Sequence, residues 1–164
     1  MNIRLRPTSE ADLNFVLTAE QAQDNCAFVG QWQRQQHYEA LLNQDIAHLV
    51  MESTNNGKLV GYAILVGLEN VDLCINLKRL VITEKSQGYG KQSLHLIKKL
   101  VFEDLQAHRL WLDVKDFNLR ARHLYRTGGF VIEGVLRECT KMGDAFESLV
   151  LMSMLYEEYY SQRS

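Results

Sequence analysis

The stretch KSQGYGKQS, residues 85–93, places two glycines and two lysines between an apolar run and a helix-like run. Three kinds of chemistry use glycines in that setting. A P-loop needs G-x-x-x-x-G-K-[ST], but here Lys85 stands at the first glycine and Gln92 where a magnesium-binding hydroxyl belongs. Magnesium-dependent nucleotide hydrolysis is therefore expected to be absent. A dinucleotide fingerprint needs a third glycine, and Ser93 occupies its place after Gly88 and Gly90. The third kind asks only for two close glycines, so that amides from Gln87 to Gln92 converge on one spot at a helix N-terminus. Free N–H groups and the positive end of the helix dipole then suit a pyrophosphate, with Lys85 and Lys91 as counter-charge and no metal. The bland counterpart is a glycine turn that merely opens a helix.

The elements that must position this loop follow from periodicity. Ile3 to Arg6 alternates as a short strand, and Thr8 or Ser9 can cap a helix over 10–21 with Leu13, Val16 and Leu17 on one face. Residues 24–32 read as a loop before a second helix ending near Leu42. His48 to Glu52 and Lys58 to Leu68 form a hairpin about TNNG. A long strand is expected over 71–83, a helix over 88–106 with Leu94, Ile97, Val101 and Leu105 on one face, and a strand over 110–114. A helix over 118–127 stops at Gly128–Gly129, and strands over 130–138 and 146–155 close around KMGDA. The tail YEEYYSQRS reads as a frayed end. This order, β-α-α-β-β-β-α-β-α-β-β, gives an α/β (α+β) domain with a mixed, mostly antiparallel sheet flanked by helices. With one proline and no linker-like stretch, residues 1–164 are expected to form a single domain.

Bulk properties narrow the function. A net charge of −2 with scattered Lys and Arg lacks the basic footprint of a nucleic-acid binder. The longest apolar run, 59–68, is too short to span a bilayer, and the N-terminus has no apolar signal region. The expectation is a cytoplasmic protein. Three widely spaced cysteines and five dispersed histidines lack disulfide or metal-ligand spacing, so no metal is expected and the histidines read as structural or surface groups. Met51, Met142, Met152 and Met154 read as core.

Residues 77–130 resemble the acetyl-CoA-binding core of the GNAT N-acetyltransferases. A strand ending in LVI, a loop similar to Q/R-x-x-G-x-G/A, the strand WLDV, and Asn118, Ala121, Tyr125, Gly129 and Phe130 in N-x-x-A-x-x-x-Y…GF occur in order. RLRPTSEADL and KLVGYAIL extend the resemblance over the whole chain. Lys85 departs from the family's Gln or Arg, and NLKR has Asn76 where similar members often carry an acid. The N-terminal half is similar to ribosomal-protein-alanine and polyamine N-acetyltransferase-like members.

The resemblance implies a GNAT fold with a cofactor core over about 71–138 and transfer of acetyl from acetyl-CoA to a primary amine, a small molecule or a protein N-terminus, in a ternary complex. It implies that the strands at 77–82 and 110–114 splay apart. Backbone groups of Leu80, Val81 and Ile82 then hold pantetheine and polarise the thioester. Lys85, Ser86, Gln87, Gly88, Tyr89, Gly90, Lys91 and Gln92 hold the pyrophosphate. On one face of the following helix, Asn118 binds the cofactor's amides, Ala121 leaves room, and Tyr125 is the general acid. The transfer from a phenol of pKa roughly 10 to a thiolate of roughly 8.5 is expected to be downhill. Phe28 and Trp32, in the loop between the first helices, and Asn76 are candidate acceptor contacts. No base is assigned, since Asn76 cannot take a proton and Glu52, Asp72 and Glu84 have no specific case. A homodimer through the C-terminal strands is plausible on this reading. The alternative is a non-catalytic acyl-CoA-binding or sensing module of the same fold.

Overall fold

The computed structural model describes residues 2–162. Seven strands form one sheet in the order β1-β2-β3-β4-β5-β7-β6, where β1 is Ile3–Pro7, β2 Ile46–Ser53, β3 Leu59–Val66, β4 Cys74–Ile82, β5 Arg109–Lys115, β6 Val131–Met142 and β7 Ala145–Leu155. All neighbours are antiparallel except β4 and β5, which are joined by a crossover through α4 (Tyr89–Lys99). α1 (Leu13–Gln21), α2 (Gln23–Cys26) and α3 (Arg34–Leu42) lie before β2 in the chain, and α5 (Leu119–Thr127) links β5 to β6. On one sheet face Leu94, Ile97 and Tyr125 pack over Leu77, Leu110 and Leu112. On the other, Val16 and Ala19 pack over Val50, Tyr62, Ile64 and Val81.

The expected elements form, with local corrections. The TNNG hairpin closes with Gly57 at φ 71°, the left-handed conformation glycine adopts without a Cβ penalty. Ser9 is the cap, its N–H and Oγ each 2.8 Å from Asp12 Oδ2, but the first turn, Glu10–Asp12, is 3-10. The 24–32 loop contains the short α2. β4 starts at Cys74 rather than at residue 71, because Val71 is almost wholly exposed and Leu73 turns to φ 53°. The helix expected to reach residue 106 widens after Lys99 into a π-helical turn, Leu100–Asp104, closed by Leu105 N–H donating to the Leu100 carbonyl at 2.9 Å. That extra residue lets both Val101 and Phe102 face inward, where each is buried.

Within the described residues the tail is not frayed, and Arg163 and Ser164 lie outside them. α6 spans Tyr156–Ser161, Glu158 accepts from the Leu155 N–H at 2.8 Å, and the buried Tyr159 ring stacks on Phe102 at 4.9 Å. Met142 lies at the tip of the β6–β7 hairpin and is exposed, so it is not core; Met51, Met152 and Met154 are. Among the described residues no helix is long and apolar enough to cross a membrane, and no cluster of His, Cys, Asp and Glu is arranged to hold a metal ion.

Candidate active site

The site begins with a break in the sheet. β4 pairs with β5 only over Cys74–Asn76 against Arg109–Trp111. One residue later β4 bulges: Arg79 is opposite Ile64 and Leu77 opposite Leu65, leaving Lys78 unmatched. A bulge bends its strand and increases its twist. Beyond it β4 follows β3 while β5 follows β7, and a cleft opens between Leu77–Ile82 and Leu112–Lys115.

Thr83 N–H donates to the Val60 carbonyl at 3.0 Å, which fixes the alternation along β4. Val81 turns its N–H to β3, whereas Leu80 and Ile82 present theirs to the cleft. Of the three residues named from the sequence, two thus turn their N–H groups to the cleft. Asn76 sits at the last paired rung, where its Nδ2 donates to the Trp111 carbonyl at 3.3 Å.

The loop after β4 contains two residues in the left-handed region, Ser86 at φ 63° and Gly88 at φ 76°. Alternation of this kind turns successive amides inward as an anion nest, here at the N-terminus of α4. A Cβ at Gly88 would meet the Gln92 side chain at an ordinary 3.9 Å, and one at Gly90 would touch Leu124 at 3.4 Å. Lys91 is exposed, whereas Gln92 Oε1 accepts the Asn2 N–H at 2.8 Å. Lys85 is not a free counter-charge. Its half-buried ammonium donates to the Ile82 carbonyl at 2.7 Å and to Asn25 Oδ1, and burial, then Arg120, lower its pKa. Arg120 stands over the loop instead, 3.4 Å from Ser86 Oγ.

Asn118 caps α5, its Oδ1 accepting the Ala121 N–H at 3.2 Å, a bond that does not engage the amide nitrogen. Tyr125 is buried against Phe130, and burial and the charge of Asp113 push its pKa up. The expected downhill transfer has the wrong sign. At ordinary values a phenol near 10 is a weaker acid than a thiol near 8.5, so donation is uphill by roughly 2 kcal/mol. Raising the phenol further makes it steeper.

On the opposite face stand residues the sequence reading missed. Leu110, Leu112 and Val114 point into the core, so Trp111, Asp113 and Lys115 point to the α1–α3 side. Asp113 opens to the cleft, where desolvation raises its pKa and Lys78 offsets part of the rise. Its carboxylate makes no hydrogen bond or ion pair among the described residues. Phe28 and Trp32 both reach this side. Phe28 packs on Phe117 at 5.7 Å, Lys115 Nζ donates to the Ala27 carbonyl at 2.8 Å, and Trp32 covers the Arg79 guanidinium at 4.3 Å. Beneath Trp32 lies a buried network centred on Glu20, with His37, His48, Tyr62 and Arg79. A signal existed for it: Glu20 continues the Leu13–Val16 stripe, where a carboxylate must be buried and paired.

Comparison with known proteins gives this geometry its context. The acetyltransferase (GNAT) family model matches residues 17–130. The chain belongs to the GNAT acetyltransferase family. Spermidine N(1)-acetyltransferase of Escherichia coli (strain K12) is 24% identical over 173 residues, covering 98% of this chain and 90% of that protein. An N-acetyltransferase of Mycobacterium tuberculosis is 31% identical over 91 residues, 55% of this chain and 57% of that one. Among solved structures, spermidine N-acetyltransferase from Vibrio cholerae in complex with CoA and spermine superposes with a TM-score of 0.87 at 19% identity, covering 97% of this chain and 98% of that chain. As a GNAT acetyltransferase, this protein moves an acetyl group from acetyl-CoA to an amine. The cleft fits that cofactor: it combines an unpaired stretch of strand backbone, matched to an amide-bearing arm, with an anion nest at its end.

Proposed function

We propose that the cleft between β4 and β5 acetylates the primary amine of a small alkylamine of the polyamine class, with Tyr125 and Asp113 as the proton-handling pair. The observation that carries this reading is the parting of the two strands, with a buried phenol on one side of the gap and an unpaired carboxylate on the other. The spermidine acetyltransferase relative and the spermine-bound structural neighbour support the acceptor class. A protein N-terminus is the other acceptor to be tried.

Acetyl-CoA, when bound, supplies the thioester whose acyl carbon the amine attacks. The Leu80 and Ile82 N–H groups hold the pantetheine arm and polarise the thioester carbonyl. The 85–90 loop and the first amides of α4 take the pyrophosphate, with Lys91 and Arg120 as counter-charge. Lys85 buttresses the loop from inside, Asn118 Nδ2 orients the arm, and the small Ala121 lets it approach. Asp113 accepts the proton that an alkylammonium of pKa about 10 must lose, directly or through water, and Tyr125 returns one to the departing sulfur. The raised pKa of Asp113 narrows its gap to the ammonium. Asn76, tied to Trp111, has no proton-accepting role.

The test is thiol release with acetyl-CoA against spermidine, spermine, amino-acid amines and a peptide N-terminus. Tyr125→Phe is expected to keep acetyl-CoA affinity within two-fold and lose 10²–10⁴-fold in turnover, on the order of a missing general acid. Asp113→Asn is expected to remove the acid limb of the kcat/KM profile. Full turnover by Tyr125→Phe sinks the assignment of the acid, and a parent that acetylates none of these amines sinks the reading.

A further inference from the structure

Glu20 is the most enclosed carboxylate in the described chain, wholly buried on α1. Tyr62 donates to its Oε1 at 2.6 Å, Arg79 donates to the same oxygen, and the Trp32 backbone N–H donates to Oε2 at 3.2 Å. His37 Nε2 lies 3.0 Å from Oε1, a contact that is electrostatic rather than a well-aligned hydrogen bond. Behind it, His37 Nδ1 is 3.0 Å from His48 Nε2, and His48 Nδ1 is 2.8 Å from Thr8 Oγ1.

A carboxylate only accepts, so the Tyr62 hydroxyl, the Arg79 guanidinium and the Trp32 backbone N–H all donate to Glu20. The two imidazoles and Thr8 Oγ1 continue the row behind it, with donor and acceptor roles set by the histidine tautomers. The Glu20 carboxylate faces the Arg79 guanidinium.

The acetyl-transfer chemistry does not use this network, yet it bears on the cleft. Arg79 is the residue after the Lys78 bulge, and its guanidinium carries the Trp32 ring at 4.3 Å, with Lys78 Nζ on the same ring at 6.0 Å. A buried guanidinium without its counter-charge would leave this position. We propose that Glu20 is a positioning residue for the acceptor: oriented by the Thr8–His48–His37 row, it holds Arg79 and Trp32 as the wall of the cleft opposite Asp113. The inference rests on the acetyl-transfer reading of that cleft.

Glu20→Gln keeps the shape and removes the charge. Its expected signature is at least a ten-fold loss in acceptor kcat/KM, carried mainly by KM, with acetyl-CoA Kd unchanged within two-fold. In a Trp111→Phe background Trp32 is the sole tryptophan, and its emission is expected to shift to longer wavelength as the ring loses its seat. A Glu20→Leu/Arg79→Leu double variant removes both charges and is expected to regain thermal stability without regaining acceptor KM. If Glu20→Gln does not fold, His48→Gln, two bonds further back, is expected to raise acceptor KM about two- to five-fold by loosening the row. The inference is overturned if the variants leave acceptor KM and Trp32 emission at parental values, if acetyl-CoA Kd weakens in proportion, or if the double variant restores KM. A parent that binds acetyl-CoA and acetylates no amine counts against the transfer reading instead, and Trp32 emission alone then decides this one.

Discussion

Lowering the pH in steps should expose the cost of keeping His48 neutral. Burial, followed by the neighbouring His37 and the Arg79 guanidinium, depresses its pKa to about 4. An unfolded histidine titrates near 6.5, so between those values the unfolded chain binds a proton that the native one refuses. Stability is therefore full above about pH 6.5 and drains as pH falls towards 4. Relative to pH 7.5 the loss is about 1.3 kcal/mol at pH 5.5 and about 2.5 kcal/mol at pH 4.5, taking 1.36 kcal/mol per pKa unit. For a chain of this size the first figure corresponds to roughly 3–5 °C in melting temperature. His48→Gln removes the titration, whatever it costs at neutral pH. Urea unfolding of parent and variant at pH 7.5, 5.5 and 4.5 isolates the term, because the other ionisable groups are common to both. The parent's advantage over His48→Gln should shrink by the amounts given. A difference between the two that does not change with pH would refute the buried-neutral assignment.

Gly88→Ala should weaken acetyl-CoA binding about five- to thirty-fold without unfolding the protein, since a Cβ at φ 76° costs roughly 1–2 kcal/mol while making only an ordinary contact with Gln92; titration calorimetry reads it, and unchanged affinity would remove the loop from the site. The edge strand β6 leaves Val131, Ile132, Val135 and Leu136 each about half exposed. We expect copies of this chain to associate through β6, so that Val135→Glu lowers the sedimentation coefficient; a monomeric parent would dispose of that interface.

What the sequence made legible is what short-range chemistry dictates. The TNNG turn, the GxG loop and the Asn118–Tyr125 helix each follow from residues a few positions apart, and each forms where expected. The Lys78 bulge was not legible, because it is a mismatch between β4 and β3, and nothing within NLKR marks which residue drops out of register. Glu20, His37, His48 and Tyr62 come from four elements. Only the position of Glu20 on an apolar stripe hinted that they would meet. Lys85 misled for the opposite reason: beside a phosphate loop it reads as counter-charge, yet Asn25, sixty residues away, gives its ammonium an internal partner. The tail reads as frayed until Phe102 offers Tyr159 a surface to stack on.

The narrow join between β4 and β5 has a mechanical consequence. Residues 3–82 build one contiguous half of the sheet and residues 109–155 the other, and among the described residues the two strands pair only at the Cys74–Asn76 rungs, flanked by the Arg109 N–H donating to the Leu73 carbonyl. The fold is thus two folded plates sharing a short seam at Leu73–Asn76, with α4 as the strap between them. A ligand arm lying along Leu80–Ile82 would serve as a splint, lending the seam the rungs the bulge withholds. In that arrangement the cofactor is also a structural member, and its departure would leave the join between the plates as the softest line in the molecule.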